Sequence, residues 1–358
     1  MSDRLHVAVD ANVLEAAWGG IPKHVHRVVS ELVAGGDRVD LLVNLRAWES
    51  PVPGAGAVPL RLRGRGPWRD LAVPAWARRH RPDVLWGPDT LLPRRIRVPT
   101  VVTVHDLAPL IFPGSKPAAV ERQFRGAIPR SVRAATRVIC VSEATANEVR
   151  SRWSVQRIDV IGNGVDDRFA PGDAEAERRW AGTAFGLEEP FVLHVGSLEP
   201  RKGLDVLIAA AAREPSWRLV LAGRPGHEGE RILADAGAVG AKWLPDLDDD
   251  ALARLYRAAA AVAVPSLYEG FGIVALEAMA SGTPVVVSAG AGALGELAGG
   301  AAIQVAERSG EAWAAAIATA RERRAELVEA GVKRAAGHRW PAVAAAVRRV
   351  LAEAARRG

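Results

Sequence analysis

The stretch from Val262 to Ser288, VAVPSLYEGFGIVALEAMASGTPVVVS, decides the fold, because it reads as strand, loop, helix, loop and strand in succession. Val262 to Val264 is a short apolar run of strand type, closed by Pro265 and Ser266 before a loop that carries Glu269, Gly270 and Gly272. Ile273, Leu276 and Ala280 then recur at helical spacing. Gly282, Thr283 and Pro284 stop that helix ahead of the β-branched run Val285 to Val287. Glu269 lies in the loop and Glu277 inside the helix, with seven residues between them. Free N–H groups at a helix start suit a phosphate, and carboxylates accept strong hydrogen bonds from sugar hydroxyls, so the pattern fits a site for a polyhydroxylated anion. The plain alternative is a solvated helix with glutamates near its favourable N-terminal end.

A second stretch points to the same chemistry. Phe191 to Leu207, FVLHVGSLEPRKGLDVL, is an apolar strand followed by Gly196, then Arg201, Lys202 and Gly203, then a helix opening at Leu204. A cationic pair between a strand end and a helix start is placed to neutralise a diphosphate leaving group. An exposed Arg–Lys pair elsewhere is ordinary solvated surface.

Glu269 and Glu277 at their spacing, with GSLEPRKG and PSLYEGFGIVALEAMASGTPVV, resemble the glycosyl transferases group 1 family, the glycogen synthase-like retaining glycosyltransferases of the GT-B fold. The resemblance runs nearly end to end, through AVDANVLEAAWGGIPKHVHRVVSEL, VVTVHDLAPLIFP, VIGNGVDDRF and LVLAGRPG. It implies an α/β protein of two Rossmann-like, doubly wound parallel-sheet domains facing a central cleft. Residues 1–165 would bind the acceptor, with a C-terminal helix, 341–358, packing back on them. Residues 166–340 would bind the nucleotide sugar.

The resemblance also implies roles. Arg201 and Lys202 would hold the diphosphate, and His105, across a gap from them, would contact the transferred sugar near its reacting carbon. Glu269 would grip that sugar's hydroxyls, Glu277 the ribose, and the amides around Phe271, Gly272 and Ile273 the phosphate or sugar. Gly19 and Gly20 would lie near the donor phosphates and the acceptor, Gly196 at the donor, and Arg224 and Leu244 at the nucleobase. Ile21 to His24 resembles a Gly-Ile-X-Arg-Tyr pattern of a mannosyl- and rhamnosyltransferase branch, with His24 departing from the usual tyrosine.

Composition sets independent bounds. A chain of 358 residues is long enough for two cores. Apolar residues make up 49% and charged residues 25%, so neither disorder nor a fibrous repeat is indicated. No apolar run has the length of a transmembrane helix and Met1 to Asp10 shows no signal-peptide pattern, which predicts a cytoplasmic protein. Cys140 is the single cysteine, so an intrachain disulfide and a cysteine-based zinc site are both excluded, and a buried inert thiol is expected. The net charge of +6 is spread over the chain without a nucleic-acid motif. Local clusters occur at Arg61, Arg63, Arg65 and Arg69 around Trp68, at Arg78, Arg79 and Arg81, and at Arg94, Arg95 and Arg97. Peripheral docking on an anionic membrane and a merely solvated surface both account for them.

Along the chain, Leu5 to Val9, Val39 to Val43, Val84 to Trp86, Thr100 to Val104 and Val138 to Val141 are strand candidates separated by helical or loop stretches. That alternation predicts a parallel, doubly wound sheet. Trp18-Gly19-Gly20 forms a glycine-rich turn before a helix with Val25, Val28, Val29 and Leu32 on one face, and Trp18 is the tryptophan best placed to stack on a sugar. The pattern breaks around Gly162 and Gly164, where a domain junction is expected. Strands at Phe191 to Val195, Arg218 to Ala222 and Ala241 to Leu244 then alternate with helices at Leu204 to Arg213, Glu228 to Ala236 and Asp250 to Ala259. The acidic run Asp246 to Asp250 contains an Asp-X-Asp, but its place before a helix favours N-capping over metal binding.

The combined expectation is a retaining, metal-independent transferase moving a hexose from a nucleotide-diphosphate sugar, with a slight lean to GDP-mannose or a related GDP-, UDP- or dTDP-hexose, to a hydroxyl acceptor that is a glycan, a lipid-linked glycan or a small molecule. No cofactor besides the sugar nucleotide is expected. The alternatives are an epimerase or phosphorylase of the same fold, or a non-catalytic sugar-nucleotide-binding protein.

Overall fold

The computed structural model describes residues 4–15, 19–112 and 118–357, so Trp18 lies outside the described residues. The chain divides into unit 1, residues 1–164 with 340–358, and unit 2, residues 165–339.

Unit 1 runs β1 (His6–Asp10), α1 (Gly20–Ala34), β2 (Arg38–Val43), β3 (Gly56–Pro59), α2 (Arg65–Pro67), α3 (Val73–His80), β4 (Val84–Gly87), β5 (Thr100–Val104), α4 (Ala108–Ile111), α5 (Ala118–Ala134), β6 (Arg137–Cys140), α6 (Glu143–Trp153) and β7 (Ile158–Val160). Unit 2 runs α7 (Ala174–Phe185), β8 (Phe191–Val195), α8 (Asp205–Ala211), β9 (Arg218–Ala222), α9 (Gly229–Ala238), β10 (Lys242–Leu244), α10 (Asp249–Ala258), β11 (Ala261–Val264), α11 (Ile273–Ala280), β12 (Val285–Ser288), α12 (Leu294–Ala298), β13 (Ile303–Val305), α13 (Gly310–Glu322) and α14 (Arg324–Ala336). A last helix, α15 (Trp340–Ala355), returns to unit 1.

The strand order is β3-β2-β1-β4-β5-β6-β7 in one sheet and β10-β9-β8-β11-β12-β13 in the other. All neighbouring pairs are parallel. Sheets covered on both faces have strands that are apolar throughout, and β5 (TVVTV) and β12 (VVVS) are buried along their whole length. In such sheets ligands gather at the carboxyl ends of the strands where the winding direction reverses. That point lies between β1 and β4 in unit 1, and between β8 and β11 in unit 2.

Local sequence accounts for several helix starts. Ser142, Asp173 and Asp248 each accept a backbone N–H at the start of α6, α7 and α10. Asp246 pairs with Arg224 and Asp250 with Arg168, so the acidic run serves caps and ion pairs. The strands absent from the sequence reading are β3, β7 and β13. They are edge strands of three or four residues with sequences GAVP, IDV and IQV, too short to show a period.

Helix α15 shares a core with α1: Trp340, Val343, Val347 and Leu351 belong to the same apolar cluster as Val25, Val28, Val29 and Leu32. Arg348 fastens it by donating to Asp37 from Nε (2.7 Å) and Nη2 (2.9 Å), and Arg137 reaches Glu353 at 3.0 Å. Cys140 is buried and free, and burial raises its thiol pKa to about 12, which makes it inert.

The basic surface needs a correction. Trp68 and Arg69 are buried, the latter beside Asp10 at 3.4 Å, because a π-type turn over Trp68–Ala72 rotates them inward. The other nine arginines of the three clusters are exposed, and Leu71 stands out among them at 64% exposure. No helix among the described residues is long and apolar enough to cross a membrane.

Candidate active site

In unit 2 the site grows from two loops that the sheet places side by side, since β8 and β11 are paired. After β8 the chain passes Gly196 and turns through a short 3-10 segment, Pro200–Lys202, that ends on Gly203. Gly203 has φ +66°, and a Cβ there would run into the Pro265 carbonyl oxygen. Only glycine lets the loop lie this close to the segment after β11, where the Leu267 amide donates to the Arg201 carbonyl at 2.8 Å.

That approach brings the charged side chains together. Lys202 Nζ donates to Glu269 Oε1 at 2.6 Å, and the Ser266 hydroxyl donates to the same oxygen at 2.7 Å. Arg201 donates to the Tyr268 carbonyl (2.9 Å) and to Glu199 Oε1 (2.6 Å), and lies 3.8 Å from Glu269 Oε2. Arg201 and Lys202 keep only 15% and 13% of their side chains exposed, so they are not the solvated pair that the residue types by themselves suggest. Burial by itself would raise the Glu269 pKa, but the charges of Lys202 and Arg201 and the hydrogen bonds from Lys202 and Ser266 hold it below its ordinary value. Two cations and two carboxylates thus form a balanced cluster, with each cation fixed in direction.

Helix α11 follows directly. Gly272 is its N-cap with φ +99° and no side-chain cap, so the amides at Gly272 and Ile273 open the helix without a local acceptor side chain. Phe271 is buried and meets His338 edge-on, with centroids 5.8 Å apart. Glu277 is 5% exposed and its Oε2 accepts the Tyr256 hydroxyl at 3.1 Å. Burial first and Glu277 second push the Tyr256 pKa well above its usual value, so the phenol stays a donor.

The remaining positions lie on neighbouring strand ends. Gly196 donates its N–H to the Ala222 carbonyl, and a Cβ there would sit 3.7 Å from both Lys202 Cε and His194 Nε2. Leu244 is buried with its carbonyl on the Gly223 amide, while Arg224 is exposed and paired with Asp246.

In unit 1, His105 follows β5 and donates Nε2–H to the Pro88 carbonyl at 2.9 Å. A carbonyl can only accept, which leaves Nδ1 of His105 as the ring's acceptor. His24, on α1, stands edge-on to His105 with centroids 5.0 Å apart, and its Nδ1 pairs with Asn163 Oδ1 at 2.8 Å. Gly19, with φ +123°, caps α1, and Gly20 is its first residue. Burial, then the charge of His24, lowers the His105 pKa to about 3 despite the Pro88 hydrogen bond, and burial lowers that of His24 to about 4. Both rings are therefore neutral at physiological pH, and His105 offers a lone pair rather than a positive charge.

A histidine whose folded pKa lies below its unfolded value of 6.5 binds its proton more readily when unfolded, so its stabilising contribution is complete above about pH 6.5 and is lost as pH falls below it. Each of the two rings should add a slope of about 1.4 kcal/mol per pH unit in that window. Urea unfolding at pH 7 and pH 5 should show this loss, and His105→Asn should remove one ring's share; an unchanged slope would contradict the burial argument.

The sequence reading did not assign roles to Glu199, Ser266, Tyr256, Asn163 and His194. Glu199 is two residues from Arg201 and Ser266 three from Glu269, a short-range signal that was legible. His194 was not: its Nδ1 bonds the Ala263 carbonyl at 3.1 Å and its buried Nε2 has no hydrogen-bond partner among the described residues, beside Lys202.

Two parallel units with a nucleotide-type strand order and loop sites at the reversal of winding define the GT-B class. The chain belongs to the glycosyl transferases group 1 family: residues 179–336 match that family, and residues 18–169 match Glycosyltransferase Family 4. The D-inositol 3-phosphate glycosyltransferase of Mycobacteroides abscessus is 36% identical over 275 residues, 69% of this chain and 59% of that protein. The protein of the same name from Mycobacterium avium is 38% identical over 210 residues, 54% of this chain and 49% of that one. The chain thus spans about half the length of these curated relatives. Among solved structures, sucrose-phosphate synthase from Thermosynechococcus elongatus superposes with a TM-score of 0.82 at 23% identity over 98% of this chain and 99% of that one. HepE from Anabaena, solved with UDP and glucose, gives 0.76 at 20% identity over 98% of this chain and 100% of that one.

Proposed function

We propose that the protein is a retaining, metal-independent glycosyltransferase that moves a hexose from a nucleotide-diphosphate sugar to a hydroxyl acceptor. The observation that carries the reading is the Arg201–Lys202–Glu269 cluster beside the uncapped start of α11. As the bond from the sugar's anomeric carbon to the diphosphate breaks, negative charge builds on the leaving oxygen. Fixed cations lower the barrier only so far as their hold tightens with that charge. The acceptor oxygen bonds to the anomeric carbon on the same face, and its proton passes to the departing phosphate oxygen. Glu277 would hold the ribose and neutral His105 would accept from a sugar hydroxyl.

Arg201 and Lys202 supply the charge that a divalent ion would bring, and the acidic run is already engaged in caps and ion pairs. EDTA should therefore leave turnover unchanged, and strict dependence on an added divalent ion would reverse the metal-independent reading. No cofactor besides the sugar nucleotide is proposed.

Gly20 to Lys23 tilts the donor towards GDP-mannose, and the named relatives make inositol 3-phosphate the first acceptor to try. The exposed arginines with Leu71 support peripheral contact with an anionic membrane. A thermal-shift screen of sugar nucleotides identifies the donor by selective stabilisation. Mass spectrometry of the products then decides the reaction. Transfer to a hydroxyl with retained configuration supports the proposal. Free sugar formed without an acceptor would mark an epimerase or phosphorylase, and tight binding without any product a non-catalytic binder.

A further inference from the structure

A cavity of about 520 Å³ opens in unit 2 beside Ser281, at the end of α11 opposite the Glu269 loop. Its wall takes Arg324 and Ala325 from the first turn of α14, Arg257 from α10, and Ser281 with Gly282 from the end of α11.

The charges there are unequal. Arg257 is neutralised by Glu177, with Nη2 2.7 Å from Oε1. Arg324 is partly buried, and only its Nη1 is used, donating to the carbonyls of Ala259 (3.3 Å) and Ala260 (3.1 Å) at the end of α10. It makes no ion pair among the described residues, and its Nε and Nη2 donate to none of them. Burial first and the nearby Arg178 second lower its pKa, as for a cation short of negative neighbours. Removing a guanidinium from water without a counter-charge is costly.

Two further features face the same space. The first turn of α14, a helix of 13 residues, has no side-chain cap among the described residues, and its one carboxylate, Glu326, is engaged by Arg323. The Ser281 hydroxyl is 2% exposed and has no hydrogen-bond partner among the described residues. A ligand meeting all three must be an anion rich in acceptors. The volume exceeds what a bare oxyanion needs and falls in the range of small-molecule sites, about 300–1,000 Å³. Glu322, exposed at the rim, disfavours a polyphosphate.

We propose that this cavity binds a sugar-sized phosphomonoester, with Arg324 and the first turn of α14 on its phosphate and Ser281 donating to it. The site is separate from the donor cluster on Lys202.

Calorimetric titration of the full chain with ribose 5-phosphate tests the proposal. Lys202→Ala is used as the background so that phosphate binding at the donor cluster does not contribute. Binding should persist there, and Arg324→Gln should weaken it about tenfold or more, the scale of a lost charge-assisted contact. Ala325 is exposed, so Ala325→Glu keeps the fold while setting a like charge against the ligand, and it should abolish binding with an unchanged melting curve. Inorganic phosphate should bind more weakly than the ester. Absence of binding in the Lys202→Ala background, binding indifferent to Ala325→Glu, or equal affinity for inorganic phosphate would overturn the proposal.

Discussion

Lys202→Ala is expected to lower kcat by about 10²- to 10³-fold, the range for removing one group that stabilises transition-state charge. The Lys202 side chain is 13% exposed and its ammonium is aimed by a 2.6 Å bond to Glu269, so it needs little reorganisation as the diphosphate departs. The substitution also leaves Glu269 with only the Ser266 hydroxyl and the more distant Arg201, and its pKa should rise towards the ordinary carboxylate range. The acidic limb of the pH–rate profile should move up accordingly. Lys202→Arg restores charge as a planar fork rather than a point, and should recover only part of the rate. Glu277→Gln should act mostly on donor KM, because a ribose contact is made alike in ground and transition states. Equal effects of Lys202→Ala and Glu277→Gln on both parameters would remove this division of roles.

Arg348→Ala should destabilise unit 1 by about 3 kcal/mol, the low end for breaking one half of a buried pair. Asp37 fixes the scale. Its side chain is fully buried and takes both guanidinium bonds together with the Leu5 amide at 3.0 Å. Arg348 itself is 32% exposed, which places the loss below the upper end of the range. Arg348→Met keeps the apolar stem and loses the charge, so it should be nearly as harmful; recovery by methionine would mean that packing, not charge, fastens α15. Urea denaturation followed by tryptophan fluorescence reads the difference, since Trp340 at the start of α15 is buried in this core.

Much of the fold could be read from the chain. Phe191–Val195 and Ile273–Ala280 stand where the pattern places them, because a five-residue run with four apolar residues and a helix entered by glycine and left by Gly-Thr-Pro are local signals. Asp248 capping α10 was legible for the same reason. The interior position of Trp68 and Arg69 was not, since it depends on a π-type turn that shifts the helical phase, and an Arg-rich surface stretch has no strong period to betray it. The site was legible as residue types and opaque as contacts: the sequence contains Arg201, Lys202 and Glu269, but not that the last two share a hydrogen bond.

What the residues alone determined is therefore the alternation of strands and helices, the glycine and proline turns between them, and a set of charged groups suited to a sugar diphosphate. Only the tertiary structure decided which groups meet. Lys202 touches Glu269 across 67 residues because β8 pairs with β11, and Arg348 reaches Asp37 across 311 because α15 comes back to α1. Periodicity and capping act over a few residues along the backbone, whereas strand order and helix docking are set by the simultaneous burial of apolar faces far apart in the chain, which no local pattern encodes.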